Sequence, residues 1–144
     1  MSQATSTAGI VQQLLIDLNL ATDPTVGSEW PVYCGYEPDD PDDCITVYDT
    51  GSALQGFRQP DGRAVEQPTV QIRVRSAAYL DGWTKARAIA DALDALDLRT
   101  VSLSESESYL IYAATRTTGI LYLGREQRGA ARNLFTLNAK VAST

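Results

Sequence analysis

The chain has 144 residues, 44% of them apolar and 21% charged, which suits one globular domain with a core of its own and excludes a disordered chain. A net charge of −6, no histidine, and only two cysteines, Cys34 and Cys44, argue against general nucleic-acid binding, a structural zinc site and a disulfide scaffold. The charge is uneven: residues 1–66 hold eleven acids and two bases, a balance of −9, and residues 67–144 hold seven acids and ten bases, a balance of +3.

In chain order, residues 1–6 are expected to be disordered, and the polar start lacks the basic-then-apolar layout of an export signal. Residues 7–19 set Ile10, Val11, Leu14, Leu15 and Leu18 at helical spacing. This predicts an amphipathic helix, with Thr5, Ser6 and Thr7 as candidate caps and Asp23-Pro24 as its close. Apolar runs such as Leu14-Leu15-Ile16 are too short to cross a bilayer, and a soluble protein is expected. Residues 30–36 and 44–49 read as strands around the turn-rich stretch from Glu37 to Asp43. Residues 51–68 contain three glycines and two prolines and are expected to form a long loop or a loosely paired hairpin. From Thr69, Val70, Ile72 and Val74 alternate with Gln71, Arg73 and Arg75, the pattern of a strand with one buried face.

A second helix is expected over residues 80–98, with Trp83, Ala86, Ala90, Leu93 and Leu96 on its buried stripe and its alanines allowing close approach to the sheet. Residues 101–103, 109–116, 120–123 and 133–141 supply further strands. The expected architecture is α+β, one domain over residues 1–144, with two helices packed on one face of a largely antiparallel sheet of about five strands. Cys34 and Cys44 read as small core or strand residues of a protein from a reducing compartment.

No phosphate-binding glycine loop, dinucleotide fingerprint or nucleophile elbow is present, and no pair of residues is placed to activate a serine. An enzyme, a metal centre and a cofactor are therefore not expected. The acidic run Asp39, Asp40, Asp42, Asp43 lacks the spacing, glycine and terminal glutamate of a calcium loop and reads as a solvated turn. Arg125, Arg128 and Arg132 follow the apolar Ile120-Leu121-Tyr122-Leu123, and arginine beside tyrosine is common at protein interfaces. With Arg73 and Arg75 on the polar face of their strand, these arginines and the four aspartates form the candidate protein-interface set. An acidic half and a basic half would suit head-to-tail self-association.

Two stretches carry a resemblance: Pro41-Asp42-Asp43-Cys44-Ile45-Thr46-Val47-Tyr48-Asp49-Thr50-Gly51, and Gln67-Pro68-Thr69-Val70-Gln71-Ile72-Arg73-Val74-Arg75. With Tyr79 soon after and an alanine-rich helix to Leu96, the chain over about residues 8–140 resembles the tail terminator (minor capsid, tail completion) proteins of long-tailed bacteriophages. The resemblance implies an α+β virion protein of the tail's neck region, assembled in the host cytoplasm. Such a protein forms a ring of six on the head-proximal end of the tail tube, stops tube growth and docks the head connector, while DNA passes through the lumen without specific binding. Its implied partners are itself, the tube protein and the connector, with no membrane. The rival readings are a head–tail connector or stopper, a tube subunit, and a small carboxylate-dependent enzyme or ligand-binding domain.

Overall fold

The structure, a computed structural model, describes residues 5–27, 29–58, 64–126 and 131–143, with backbone alone over 52–58 and 64–67. It is α+β. Helix α1 (Thr7–Asp17) is followed by β1 (Val32–Cys34), β2 (Cys44–Arg58) and β3 (Ala64–Ser76). Helix α2 (Tyr79–Asp94) comes next, and then β4 (Arg99–Ser102), β5 (Ser108–Arg116), β6 (Leu121–Arg125) and β7 (Asn133–Ser143).

Helix α1 forms where the apolar spacing predicts, and both its ends have a local cause. The Ser6 hydroxyl at the N-cap accepts the Gly9 N–H (3.3 Å), and a carboxylate oxygen of Asp49, reaching from β2, accepts the Ala8 N–H (2.9 Å). Two orphan donors are thus satisfied, one by a negative charge at the positive end of the helix dipole. At the other end Asn19 turns left-handed (φ 60°), its N–H bonds the Ile16 carbonyl, and the Leu20 N–H bonds the Leu15 carbonyl. This paired return of the chain stops the helix before Asp23-Pro24 can. Ahead of the cap, the Thr5 N–H donates to the Tyr109 hydroxyl (3.3 Å) and the Thr5 hydroxyl to Glu107 (2.6 Å). Thr5 and Ser6 are therefore tied to the body of the domain, and residues 1–4 lie outside the described residues.

The sheet is larger than the expected five strands: seven are described, in the order β1-β2-β3-β7-β5-β4, with β6 beside β7. All pairings are antiparallel except β1 with β2. β5 and β6 share one side of β7, β6 along Asn133 to Thr136 and β5 along Ala139 to Ser143. Helix α1 touches β1 and β2 at one end of the strand order and β4 at the other. A flat sheet would hold those ends apart, so the sheet curls, as twisted strands do.

In the centre of the sheet the register lines up Ile45, Val74 and Phe135 in one row and Val47, Ile72 and Leu137 in the next. All six are fully buried, in one cluster with Ile10, Val11, Leu14 and Leu15 of α1 and Ala86, Ile89, Ala90 and Leu93 of α2. Ala86 and Ala90 of α2 are fully buried, and the helix approaches the sheet closely at Gly82. A Cβ there would stand 2.8 Å from the Phe135 ring, a distance only glycine avoids. Trp83, expected on the buried stripe, is 40% exposed and meets Phe135 edge-on.

Of the long loop or loosely paired hairpin expected over residues 51–68, the described residues form the hairpin. It is the outer part of β2–β3, paired from Gly51 with Thr69 out to Arg58 with Ala64, with a register shift after Leu54. Gly51 has a φ of 100° beside a register shift. There the glycine marks a bulge, and it does not end the strand.

Candidate functional site

Alternation along β3 sends Val70, Ile72 and Val74 into the core and turns Arg73 and Arg75 to the other face. That face is not open. The turn of residues 35–43 folds over it, and Arg75 is 2% exposed beneath. Its guanidinium donates to the carbonyls of Pro41 (2.7 Å), Asp42 (3.3 Å) and Asp39 (3.3 Å) and to the Glu37 carboxylate (3.2 Å). A planar fork of five N–H donors can serve four acceptors at once, which a lysine could not do with the same geometry. Arg73 reaches the same carboxylate (3.4 Å) and passes over the Tyr48 ring (5.9 Å to the centroid).

From the start of β7, Arg132 closes the turn's other side. It donates to Glu126 (2.6 Å) and to the Asp39 carbonyl, and its guanidinium lies 3.5 Å from the Asp42 carboxylate. Burial works against the Arg132 charge, but the hydrogen bond and the negative field of Glu126 outweigh it, so its pKa rises above the usual arginine value. Asp43 accepts the Ala77 N–H (3.0 Å), which anchors the turn to the lead-in of α2. Beneath lies a row across three strands, Thr46, Arg73 and Thr136, in register. Among the described residues neither threonine hydroxyl nor the Arg73 Nε has a hydrogen-bond partner.

The acidic and basic candidates therefore meet inside one subunit. Arg73, Arg75 and Arg132 hold the turn that carries the aspartates, so these charges of the two halves are neighbours within one fold. Asp39, Asp40 and Asp42 keep exposed side chains, and Arg125 stands exposed at the end of β6. Arg128 lies outside the described residues. Glu37, the acceptor shared by two arginines, was not among the candidates; it precedes the aspartate run and is divided from it by Pro38.

Among the described residues no group of three or more Cys, Asp or Glu side chains is placed to hold a metal ion. Open hollows among the described residues include two of similar volume. One of about 590 Å³ lies beside residues 114–119, where Arg116 makes a bidentate pair with Asp94 (2.8 Å on each arm). The other, of about 570 Å³, includes Glu29, Asp42 and Asp43, but Asp42 and Asp43 already serve Arg132 and the Ala77 N–H. Both cysteines are free thiols. Cys44 is buried and its pKa is pushed up to about 11 by that burial, so it is held as the unreactive thiol. No helix among the described residues is long and apolar enough to cross a membrane.

The chain also exposes large apolar side chains on and beside β6: Leu121, Tyr122 and Leu123, and next to them Tyr79 and Trp83 of α2. Tyr79, Tyr122 and Phe135 form a ring cluster with centroids 5.0 to 5.2 Å apart. Three consecutive exposed apolar residues in a strand are unusual unless a partner covers them. The apolar run 120–123 was legible in the sequence, whereas the aromatic companions from α2 were not.

No curated protein matches the chain. Residues 14–142 match the family model described as "Bacteriophage tail terminator protein". That span takes in the last turn of α1, all of α2, both arginine-held sides of the turn and every described strand but for the last residue of β7, and the chain belongs to the bacteriophage tail terminator family.

Proposed function

We propose that the chain forms a ring, six copies in the fullest form of the reading, on the head-proximal end of the phage tail tube, where it ends tube growth and presents a docking surface to the head connector. The observation that carries this reading is the family match across residues 14–142, which establishes a structural role in the phage tail. A tube subunit adds to the tube because its upper surface recreates the site that recruited it. Growth ends when a different protein covers that surface without reproducing it, so a cap needs two unlike faces.

The outer turn fits such a face. Arg75 and Arg132 fix its backbone, so Asp39, Asp40 and Asp42 are offered in one preset arrangement, which lowers the ordering cost of binding. Arg125 and Arg128 are the cations proposed for contacts with neighbours; Arg73, Arg75 and Arg132 act through the turn they hold. In this reading DNA passes through the lumen without sequence-specific contacts, and assembly takes place in the host cytoplasm.

Purified tube protein induced to polymerise tests the reading. Added chain should arrest elongation and be found by gold labelling at one tube end. Label along the whole length would indicate a tube subunit, and unchanged growth with no end label would contradict capping.

A further inference from the structure

β4 covers β5 only as far as Ile111, where it pairs with Arg99. From Tyr112 to Arg125, the side of β5–β6 turned away from β7 pairs with no strand among the described residues. Open edges of this kind are normally blunted by charge, proline or a covering segment. Here the edge has Arg116 and Arg125 and a register shift at Tyr122/Gly124. Yet it also exposes Tyr112, Leu121, Tyr122 and Leu123, with Tyr79 against Tyr122 and Trp83 against Phe135, each of these six side chains 40–51% exposed. At roughly 200 Å² for a large side chain, the six together expose on the order of 500 Å², shared between the two faces of the edge, since Leu121 and Tyr122 lie opposite Thr136 and Phe135 on successive positions. That total matches the largest apolar patch on a typical monomer, about 300–600 Å² and often functional, and is comparable to the apolar share of the ~800 Å² each partner buries in a standard protein interface.

The same chain holds a segment with the opposite need. β3 pairs with β7 only from Thr69 onward, and β1 pairs with β2 only from Ile45 to Val47. The hairpin from Gly51 with Thr69 to Arg58 with Ala64 therefore runs on as a two-stranded ribbon with no third strand among the described residues. At about 3.3 Å per residue it reaches on the order of 20 Å beyond the sheet. A two-stranded ribbon alone in water is marginally stable.

We propose that the β2–β3 ribbon of one copy pairs along the open β5–β6 edge of a second copy and covers its apolar run, so that the sheet continues from subunit to subunit. Donor and acceptor are different surfaces, so the contact is heterologous and repeats until it closes. Strand addition supplies the hydrogen bonds and the apolar run supplies the burial. The inference deepens the ring reading above, naming the surfaces through which copies would meet.

Two variants separate the halves of the contact. Leu121→Lys with Leu123→Lys charges the edge at positions that are exposed in the subunit. Replacing residues 53–67 by an Asn-Gly turn removes the ribbon while closing the hairpin in a two-residue form. Circular dichroism and melting confirm that each is folded, and sedimentation velocity at micromolar and near-millimolar concentration reads the mass. The wild-type chain should form a closed oligomer, each variant alone should be monomeric, and their mixture should give a species of twice the monomer mass, since one intact edge then meets one intact ribbon. An oligomer that survives in the edge variant, a mixture that stays monomeric, or a wild-type chain that is monomeric throughout would overturn the proposal. Tail length is not read here, so either result leaves termination to its own test.

Discussion

Arg75 has four acceptors within 3.3 Å and almost no contact with solvent. Removing it leaves the Glu37 carboxylate, itself 12% exposed, to Arg73 alone and the Asp39 carbonyl to Arg132 alone, and takes the guanidinium from the carbonyls of Pro41 and Asp42. An Arg75→Ala variant should therefore lose about 3–5 kcal/mol, the cost of breaking a buried pair from one side, and Arg75→Lys should recover only part of it. The midpoint of urea unfolding measures both; an unchanged midpoint in the alanine variant would mean that the turn holds itself. At the N-terminus the informative side chain is Glu107. Hydrogen bonds first from Thr5 and then from Tyr109 hold its pKa below the ordinary glutamate value of 4.5. A depressed carboxylate contributes fully above its unfolded pKa and ceases to contribute as the pH falls through the lower folded one. The clasp on Thr5 should accordingly be intact at neutral pH and release below about pH 4.5, seen as faster amide exchange at the start of α1. Glu107→Gln should remove that pH dependence.

At the scale of elements, β3 is where sequence and structure agree most closely. Val70, Ile72 and Val74 alternate with polar residues in the chain, and all three are fully buried in the fold, because a strand between two others shows one face to a single core. An Ile72→Asp variant should place an unpaired charge between Val47 and Leu137 at a cost of several kcal/mol, enough to unfold a domain of ordinary stability. Native circular dichroism and an unshifted melting curve would contradict the packing described. The hairpin arm was legible only as one of two alternatives, a long loop or a loosely paired hairpin. Glycines and prolines between residues 51 and 68 signal loops in isolation, yet Pro68 opposite Ser52 sits where β3 has no second neighbour, and an edge tolerates proline. Trp83 was misplaced because helical periodicity gives a stripe but not its width. Its position at the rim of α2, against Phe135, depends on where β6 and β7 lie. The end of α1 turned on a single left-handed asparagine, a residue whose presence in a chain does not by itself announce a cap.

For the whole molecule, the charge pattern was visible in the sequence but its geometry was not. Arg132 meets a carbonyl 93 positions away, and a contact of that range follows from sheet order, which periodicity does not reveal. Three arginines of the basic half thus clamp the acidic turn from within, and the surfaces proposed for partners are that fixed turn and the apolar open edge. The α+β class and the run of strands were legible because each depends on local alternation; the curl of the sheet and the joining of β5 to β6 along β7 depend on pairing between distant segments. The central claim is that this chain decides where the tail tube ends. Deleting its gene and measuring the tail-length distribution by electron microscopy tests that claim most directly. The account predicts filled heads without tails and free tails extending beyond the normal length, with joining restored by purified protein only on tails that have not overgrown. A narrow distribution at the normal length on intact virions would contradict it, and normal-length tails that merely fail to join heads would assign the chain to the connector instead.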